Sequence, residues 1–322
     1  MTKKMKLIIQ IFTILLVIIF TFIFNIGIYF TFTYKCESNF GKTPLEAKII
    51  EVDNYLPFDE NSKIYKLDSN LKITENIPVL DGATALLPVY SAIAHAIYPK
   101  ESVIFDGEKY TENSSVKFSD TKYAYYGVID GDVDIIICAG PSPSISNYAS
   151  SKNVELEYVT IGYEAFVFLN NCNNPVNNLS VQEIRDIYSG KIINWKSVGG
   201  PNRLINPLTR PEASGSQSAM ISFMKGQEIK KYPIQSLGAS IGFSFRFYVE
   251  DLVGNSDVKT ISVNGIEPTR ETIKNKSYPI TVPFYAVYRK DNENPNIQKV
   301  IDFILSEEGQ KIINETGYVG VN

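Results

Sequence analysis

The sequence predicts an α/β protein held behind one membrane-spanning helix. Three observations carry that prediction: a charge-free apolar run from Leu7 to Phe32, later runs rich in β-branched and aromatic residues, and capped or apolar-periodic helical segments that alternate with them. The 322 residues are 44% hydrophobic and 20% charged, ordinary globular material with enough chain for two domains of about 100–150 residues.

The run LIIQIFTILLVIIFTFIFNIGIYFTF has only Gln10 and Asn25 as strongly polar interruptions, and a bilayer-spanning helix needs roughly 20 apolar residues. Residues 7–33 are read as a transmembrane anchor and 1–6 as a cytoplasmic tail, because Lys3, Lys4 and Lys6 precede the run and only Lys35 closely follows it. The expected location is the cell membrane, single-pass, with everything beyond Tyr34 extracytoplasmic. A cleaved secretory signal has an apolar region of about 7–15 residues and a small-residue cleavage site. This run is longer, and Tyr34 and Lys35 stand where a lipid-modified Cys36 would need small neighbours.

Without the three leading lysines the chain carries 28 basic against 35 acidic residues. An acidic exterior argues against nucleic acid as a partner. Cys36, Cys138 and Cys172 are too few and too scattered for a disulfide framework or a zinc site. No metal or other cofactor is expected.

Residues 34–74 read as a stalk and an extended lead-in. TALLPVYSAIAHAIYP then places apolar residues at helical spacing from Leu86 to Ile97, with Pro88 in the tolerated first turn. VDIIICA, Val133–Ala139, is a short buried-strand run ended by the turn GPSPS. EYVTIGYEAFVFL, Glu157–Leu169, reads as a longer strand. SVQEIRDIYSG is a helix with Ser180 and Glu183 in capping-box spacing and Gly190 at its stop. SYPITVPFYAVYRKD reads as a second long strand, and NPNIQKVIDFILSEEGQKIINETG as a helical pair. The alternation implies largely parallel sheets, with ligands beyond strand ends and against helix starts.

TRPEASGSQSAM, Thr209–Met220, puts Arg210 four residues ahead of a Ser-Gly-Ser turn that opens a helix. A helix start presents N–H groups without intrahelical partners and a partial positive charge, so this turn reads either as an ordinary serine cap or as an anion seat. The rest of the chain favours the seat. DGATALLPVY (Asp81–Tyr90), NPVNNLSVQEIRDIYSGKIINWKSVGG (Asn174–Gly200), TRPEASGSQSAM, SIGFSFRFYV and the set YPI, FYAVYRK and GYVGV together resemble, in order, the PstS-like phosphate-binding receptors of bacterial phosphate ABC importers. The resemblance runs from about Ile77 to the C-terminus.

That resemblance implies a two-lobed type II periplasmic-binding-protein fold, with a cleft between lobes, two crossover strands near Ile161–Leu169 and Ile280–Tyr288, and hinge closure over an anion. Lobe I would combine residues 75–160 with 285–322, and lobe II would be 161–284 with the crossover strands. By position, the resemblance assigns Thr84 and Ala85 to a first anion loop, and Arg210, Ser214, Gly215 and Ser216 to a second. Thr121, in FSDTKYAYYG, is the choice for a further donor. Family members that bind protonated phosphate carry an aspartate in the loop after the second strand; here CAGPSPS, Cys138–Ser144, has none, and Ser142 is the substitute. Asp81 and Glu212 are the other carboxylates that could read a phosphate proton. The implied partners are inorganic phosphate and ABC permease subunits; the alternatives are a sulfate-like oxyanion, or a sensing ectodomain acting through a partner.

An enzyme is the competing class. A serine hydrolase needs a base near its nucleophile, and His95, the only histidine, falls inside the first apolar helix, where it reads as a packed or capped side chain. Glu307–Glu308 and Asp59–Glu60 read as solvated pairs, and Trp195 as core. No catalytic residue is assigned.

Overall fold

The computed structural model of the chain describes residues 3–40, 51–212, 214–230, 239–253 and 258–322. The expected stalk falls partly on residues 41–50, outside those described. Helix α1, Lys3–Phe40, is continuous, and its Lys3–Ile28 portion is long and apolar enough to cross a membrane. Its described side chains from Ile9 to Ile28 are exposed, so no protein core accounts for their apolarity. The helix extends to Phe40, so residues 34–40, read as stalk, are helical. The lead-in also packs: Ile64 and Ile73 are buried, and Ile73 N–H donates to the Ile97 carbonyl at 2.8 Å.

In chain order, β1 (Leu80–Gly82) runs through a 3₁₀ turn, Thr84–Leu86, into α2 (Leu87–Ile97). Pro88 sits in the first turn of α2, where its missing N–H costs no helical bond. Nearly every residue of α2 is buried, which is why its apolar pattern runs all round the helix. α3 (Thr121–Asp130) is capped by Asp120, whose carboxylate accepts from the N–H groups of Lys122 and Tyr123, and is closed by Gly131 at φ 87°. β2 (Ile135–Ala139) leads to α4 (Pro143–Ser151), capped by Ser142.

The 16-residue β3 (Leu156–Asn171) is the spine of the molecule. Beyond it come β4 (Asn178–Leu179) and α5 (Val181–Tyr188), the latter with the expected Ser180–Glu183 capping box complete. β5 (Ile205–Pro207), α6 (Gly215–Met224), β6 (Ala239–Phe245), β7 (Val258–Val263) and α7 (Arg270–Lys274) follow. β8 (Thr281–Arg289), α8 (Ile297–Leu305), α9 (Glu307–Glu315) and β9 (Val319–Gly320) complete the chain.

One sheet path runs β1-β2-β8-β3-β6-β5. Only β1–β2, β4–β7 and β5–β6 are parallel; β3 is antiparallel to β8, β6, β7 and β9, and β2 to β8. The expectation of largely parallel sheets is therefore corrected. Helical crossovers make the parallel pairs within each half, whereas strands that carry the chain between halves enter each sheet against its grain.

Two packed cores result. One is built from residues 64–161 and 284–318 with Phe247, the other from residues 165–280 with Val319. β3 joins them: Leu156 to Ala165 pairs with β8, and Phe166 to Asn170 pairs with β6. At the junction, Gly162 lies under the Phe284 ring and the Val319 carbonyl; a Cβ there would sit 2.4 Å and 2.9 Å from them.

Candidate functional site, a cleft between two cores

A cleft of about 680 Å³ opens between the cores, and four helix starts face it. Thr84 and Ala85 lie on the turn ahead of α2, Thr121 is the first residue of α3, Ser144 is in the first turn of α4, and Gly215 and Ser216 open α6. Each end projects N–H groups that precede the first intrahelical bond; in α6 that bond runs from Ser218 N to Ser214 O, at 3.0 Å. The aligned peptide dipoles add partial positive charge there.

Ser214 does what the plain cap reading says, accepting from Gln217 N at 3.2 Å, and its hydroxyl still has a hydrogen to donate. Gln217 returns a bond to the loop, its side-chain oxygen accepting from Arg210 N at 2.9 Å. That contact ties the arginine's backbone to the helix it precedes. The Arg210 guanidinium interacts with the Tyr248 hydroxyl, whose pKa burial raises while the cation pulls it back.

The two halves touch at this point. A Cβ on Gly215 would lie 3.2 Å from Thr121 Oγ1 and 3.8 Å from the Ala139 side chain, so the start of α6 rests on the start of α3 and the end of β2. A methyl group at that position would press the Thr121 hydroxyl back by a few tenths of an ångström.

Of the residues the sequence singled out, Thr84, Ala85, Thr121, Arg210, Ser214, Gly215 and Ser216 line the cleft. Ser142 does not. It is buried as the α4 cap, accepting from Ile145 N and sharing a 2.8 Å hydrogen bond with Ser144, and Ser144 is the hydroxyl on the wall. Asp81 is also directed elsewhere: it accepts from Gly82 N at 2.7 Å and Ser119 N at 2.9 Å and lines a separate cavity. Burial pushes its carboxyl up to about 6. Glu212 lines the cleft. His95 belongs to the packing of α2, its Nδ1 2.6 Å from the Pro57 carbonyl, with burial lowering its pKa. Trp195 is core, its indole donating to the Ala239 carbonyl at 2.9 Å.

Several wall residues were missed from sequence. Lys122, Asp120, Tyr126, Phe245, Tyr248, Phe284 and Tyr318 face the cleft, as does Glu164 on β3. Glu164 could have been found, because a carboxylate inside GYEAFVF, like the arginine inside FSFRFYV, is a charge in an otherwise buried strand and demands a partner. The two are that pair. Arg246 Nε lies 3.5 Å from Glu164, while its other nitrogens donate to Glu250 at 2.8 Å and to the Gly317 carbonyl at 2.7 Å. Glu164 also accepts from Ala165 N and Phe247 N, and burial lifts its carboxyl to about 7 against those donors and Arg246. Tyr318 links this junction to the first anion loop: its ring packs on Phe247 and Phe284, and its hydroxyl donates to the Ala85 carbonyl at 2.5 Å. Tyr318 lies within the GYVGV motif, but the sequence assigned it no role, because that role depends on a contact 233 residues away along the chain.

A family model described as a PBP superfamily domain matches residues 79–308. Phosphate-binding proteins PstS of Borreliella burgdorferi and Bacillus subtilis are 28% and 26% identical over 49% and 52% of this chain. The chain spans 64% and 58% of those relatives' own length. A solved structure described as a phosphate ABC transporter substrate-binding protein from Clostridium perfringens, with phosphate bound, is 25% identical at a TM-score of 0.56, covering 79% of this chain and all of that one. An ABC-type phosphate transport receptor from Vibrio cholerae shares the fold at 22% identity and a TM-score of 0.53, over 77% of this chain and 99% of the other.

Proposed function

The chain belongs to the PBP superfamily, and from that premise we propose that it is a membrane-tethered, extracytoplasmic receptor that captures inorganic phosphate between its two lobes and delivers it to an ABC permease. The observation that carries this reading is the meeting of four helix starts with Arg210 around one cleft. Backbone N–H groups and hydroxyls from both lobes supply directed donors, and the guanidinium supplies a fixed charge with forked geometry. Because neither lobe holds the whole donor set, an anion is fully coordinated only when the lobes are together, and it stabilises that arrangement by its preference for it. The phosphate named for the Borreliella burgdorferi, Bacillus subtilis and Clostridium perfringens proteins supports the choice of anion. The apolar helix α1 supports tethering, and delivery to a permease follows from the relatives' transport role.

The test is isothermal titration of the full chain in detergent micelles with phosphate, sulfate and other oxyanions. Phosphate is expected to bind one site per chain. Arg210→Ala removes a charge-assisted contact at a largely desolvated anion, a loss of about 2–5 kcal/mol, so the dissociation constant should rise by at least about 30-fold. A folded Arg210→Ala protein that binds phosphate within threefold of the parent refutes the assignment.

A further inference from the structure

Resting on the anion seat proposed above, we infer that Asp81 is a positioning residue of that seat: one buried carboxylate oxygen, away from the cleft, ties together the two loops of lobe I that bring Thr84 and Thr121 to it.

The tie stands where a sheet ladder stops. Residues 115–119 run parallel to β1 with Leu80 opposite Val116; Leu80 N donates to the Ser115 carbonyl at 2.8 Å and Lys117 N to the Leu80 carbonyl at 2.7 Å. A regular parallel ladder would continue with Gly82 N on the Lys117 carbonyl and Ser119 N on the Gly82 carbonyl. Both N–H groups go to Asp81 instead. Its Oδ1 accepts from Gly82 N at 2.7 Å and from Ser119 N at 2.9 Å. The carboxylate takes the place of the next rung, and beyond it one chain leads to the turn that opens at Thr84 and the other to α3, which opens at Thr121.

Each threonine lies two residues past a donor to Asp81, and both line the cleft. Asp81 lines a separate cavity, so it acts on the seat through the backbone it holds. Gly82 is buried, where an N–H without an acceptor is destabilising. On the other side, the Asp120 cap orders α3 within its own loop, while the bond from Ser119 N sets that loop against β1.

The carboxylate is unfavourable where it stands. Asp81 is 2% exposed, and burial pushes its carboxyl up to about 6 against the Ser119 and Gly82 donors and the nearby charge of Lys117. Alanine would remove that buried charge but leave both N–H groups without this acceptor. Asparagine removes the charge and keeps an acceptor of the same reach. The two substitutions therefore separate the tie from the charge.

Phosphate titration of the full chain in micelles, with the melting temperature of each variant, tests this. Asp81→Ala is expected to weaken phosphate binding about tenfold, since donors set loose by about an ångström no longer meet one anion together, and Asp81→Asn to hold it within threefold of the parent. A tie that served the fold alone would lower the melting temperature of Asp81→Ala and leave the affinity of the folded protein unchanged. Asp81→Ala within threefold of the parent therefore overturns the inference and leaves the phosphate reading intact. Equal losses in Asp81→Ala and Asp81→Asn also overturn it, because the amide oxygen offers the same acceptor. Should Asp81→Ala not fold, Asp81→Leu, branched at the same carbon as aspartate and without an acceptor, replaces it with the same expected loss. If the parent binds no phosphate, the seat itself fails and the inference falls with it.

Discussion

Ser144 and Glu164 show how single residues at the cleft divide binding from stability. Ser144 brings to the cleft a hydroxyl that donates or accepts as its ligand requires, and on the proposed reading such a group should discriminate poorly between sulfate and phosphate. Competition of the two anions near neutral pH should show modest preference in the natural protein, and Ser144→Asp should raise the preference for phosphate; no change would place the proton reading elsewhere, with Glu212 the next carboxylate on the wall. Glu164 acts on stability. Its carboxyl is raised by burial from 4.5 to about 7, so the folded protein holds a proton that the unfolded chain releases. The sign follows: this contribution is complete below about pH 4.5 and is lost as pH rises toward 7, up to about 3 kcal/mol in all. Glu164→Gln should therefore flatten the fall in melting temperature over that interval, leaving the slope from Asp81, raised to about 6 in the same direction. A parent protein whose melting temperature is level from pH 4.5 to 7 would contradict this.

At the scale of elements, β3 is the decisive one, because it belongs to both cores. The sequence shows a strand there, and its richness in β-branched and aromatic residues is enough to predict it. It does not show that the strand changes partners at Ala165 and Phe166, or that β9 joins at Gly162. The crossing is narrow. Gly162→Ala must displace either the Phe284 ring or the Val319 backbone, and overpacking of this kind costs about 1–3 kcal/mol. Chemical denaturation should record that loss; a variant as stable as the parent would mean that the junction yields easily. The capped helices α3, α4, α5 and α6 belong to the opposite category, since their starts follow from Asp120, Ser142, Ser180 and Ser214 acting on their own neighbours in the chain.

For the whole molecule, Gly215 and Thr121 bring the two cores close at the cleft, and on the proposed reading capture of a ligand requires that the lobes part and close again. Spin labels at Lys152→Cys and Lys191→Cys, both exposed and on opposite cores, with Cys36 and Cys172 replaced by serine, would read the separation. Saturating phosphate should shift the distance distribution shorter and narrow it. Identical distributions with and without ligand would rule out closure as the means of capture.

The sequence by itself determined the long apolar helix, the α/β class and the capped helix starts, because each depends on chemistry within a few residues: an unbroken apolar run, or a cap side chain accepting from the N–H groups that follow it; the seven cleft residues came from the resemblance carried by motifs spread along the chain. Tertiary structure alone decided that Ser144 rather than Ser142 faces the cleft, that Asp81 turns away, that Glu164 meets Arg246, and that Tyr318 holds the Ala85 carbonyl. Those outcomes depend on which way a side chain points once distant segments have packed. Alternation along a strand and spacing along a helix assign a residue to a face, but only the neighbour arriving from elsewhere in the chain determines what that face meets.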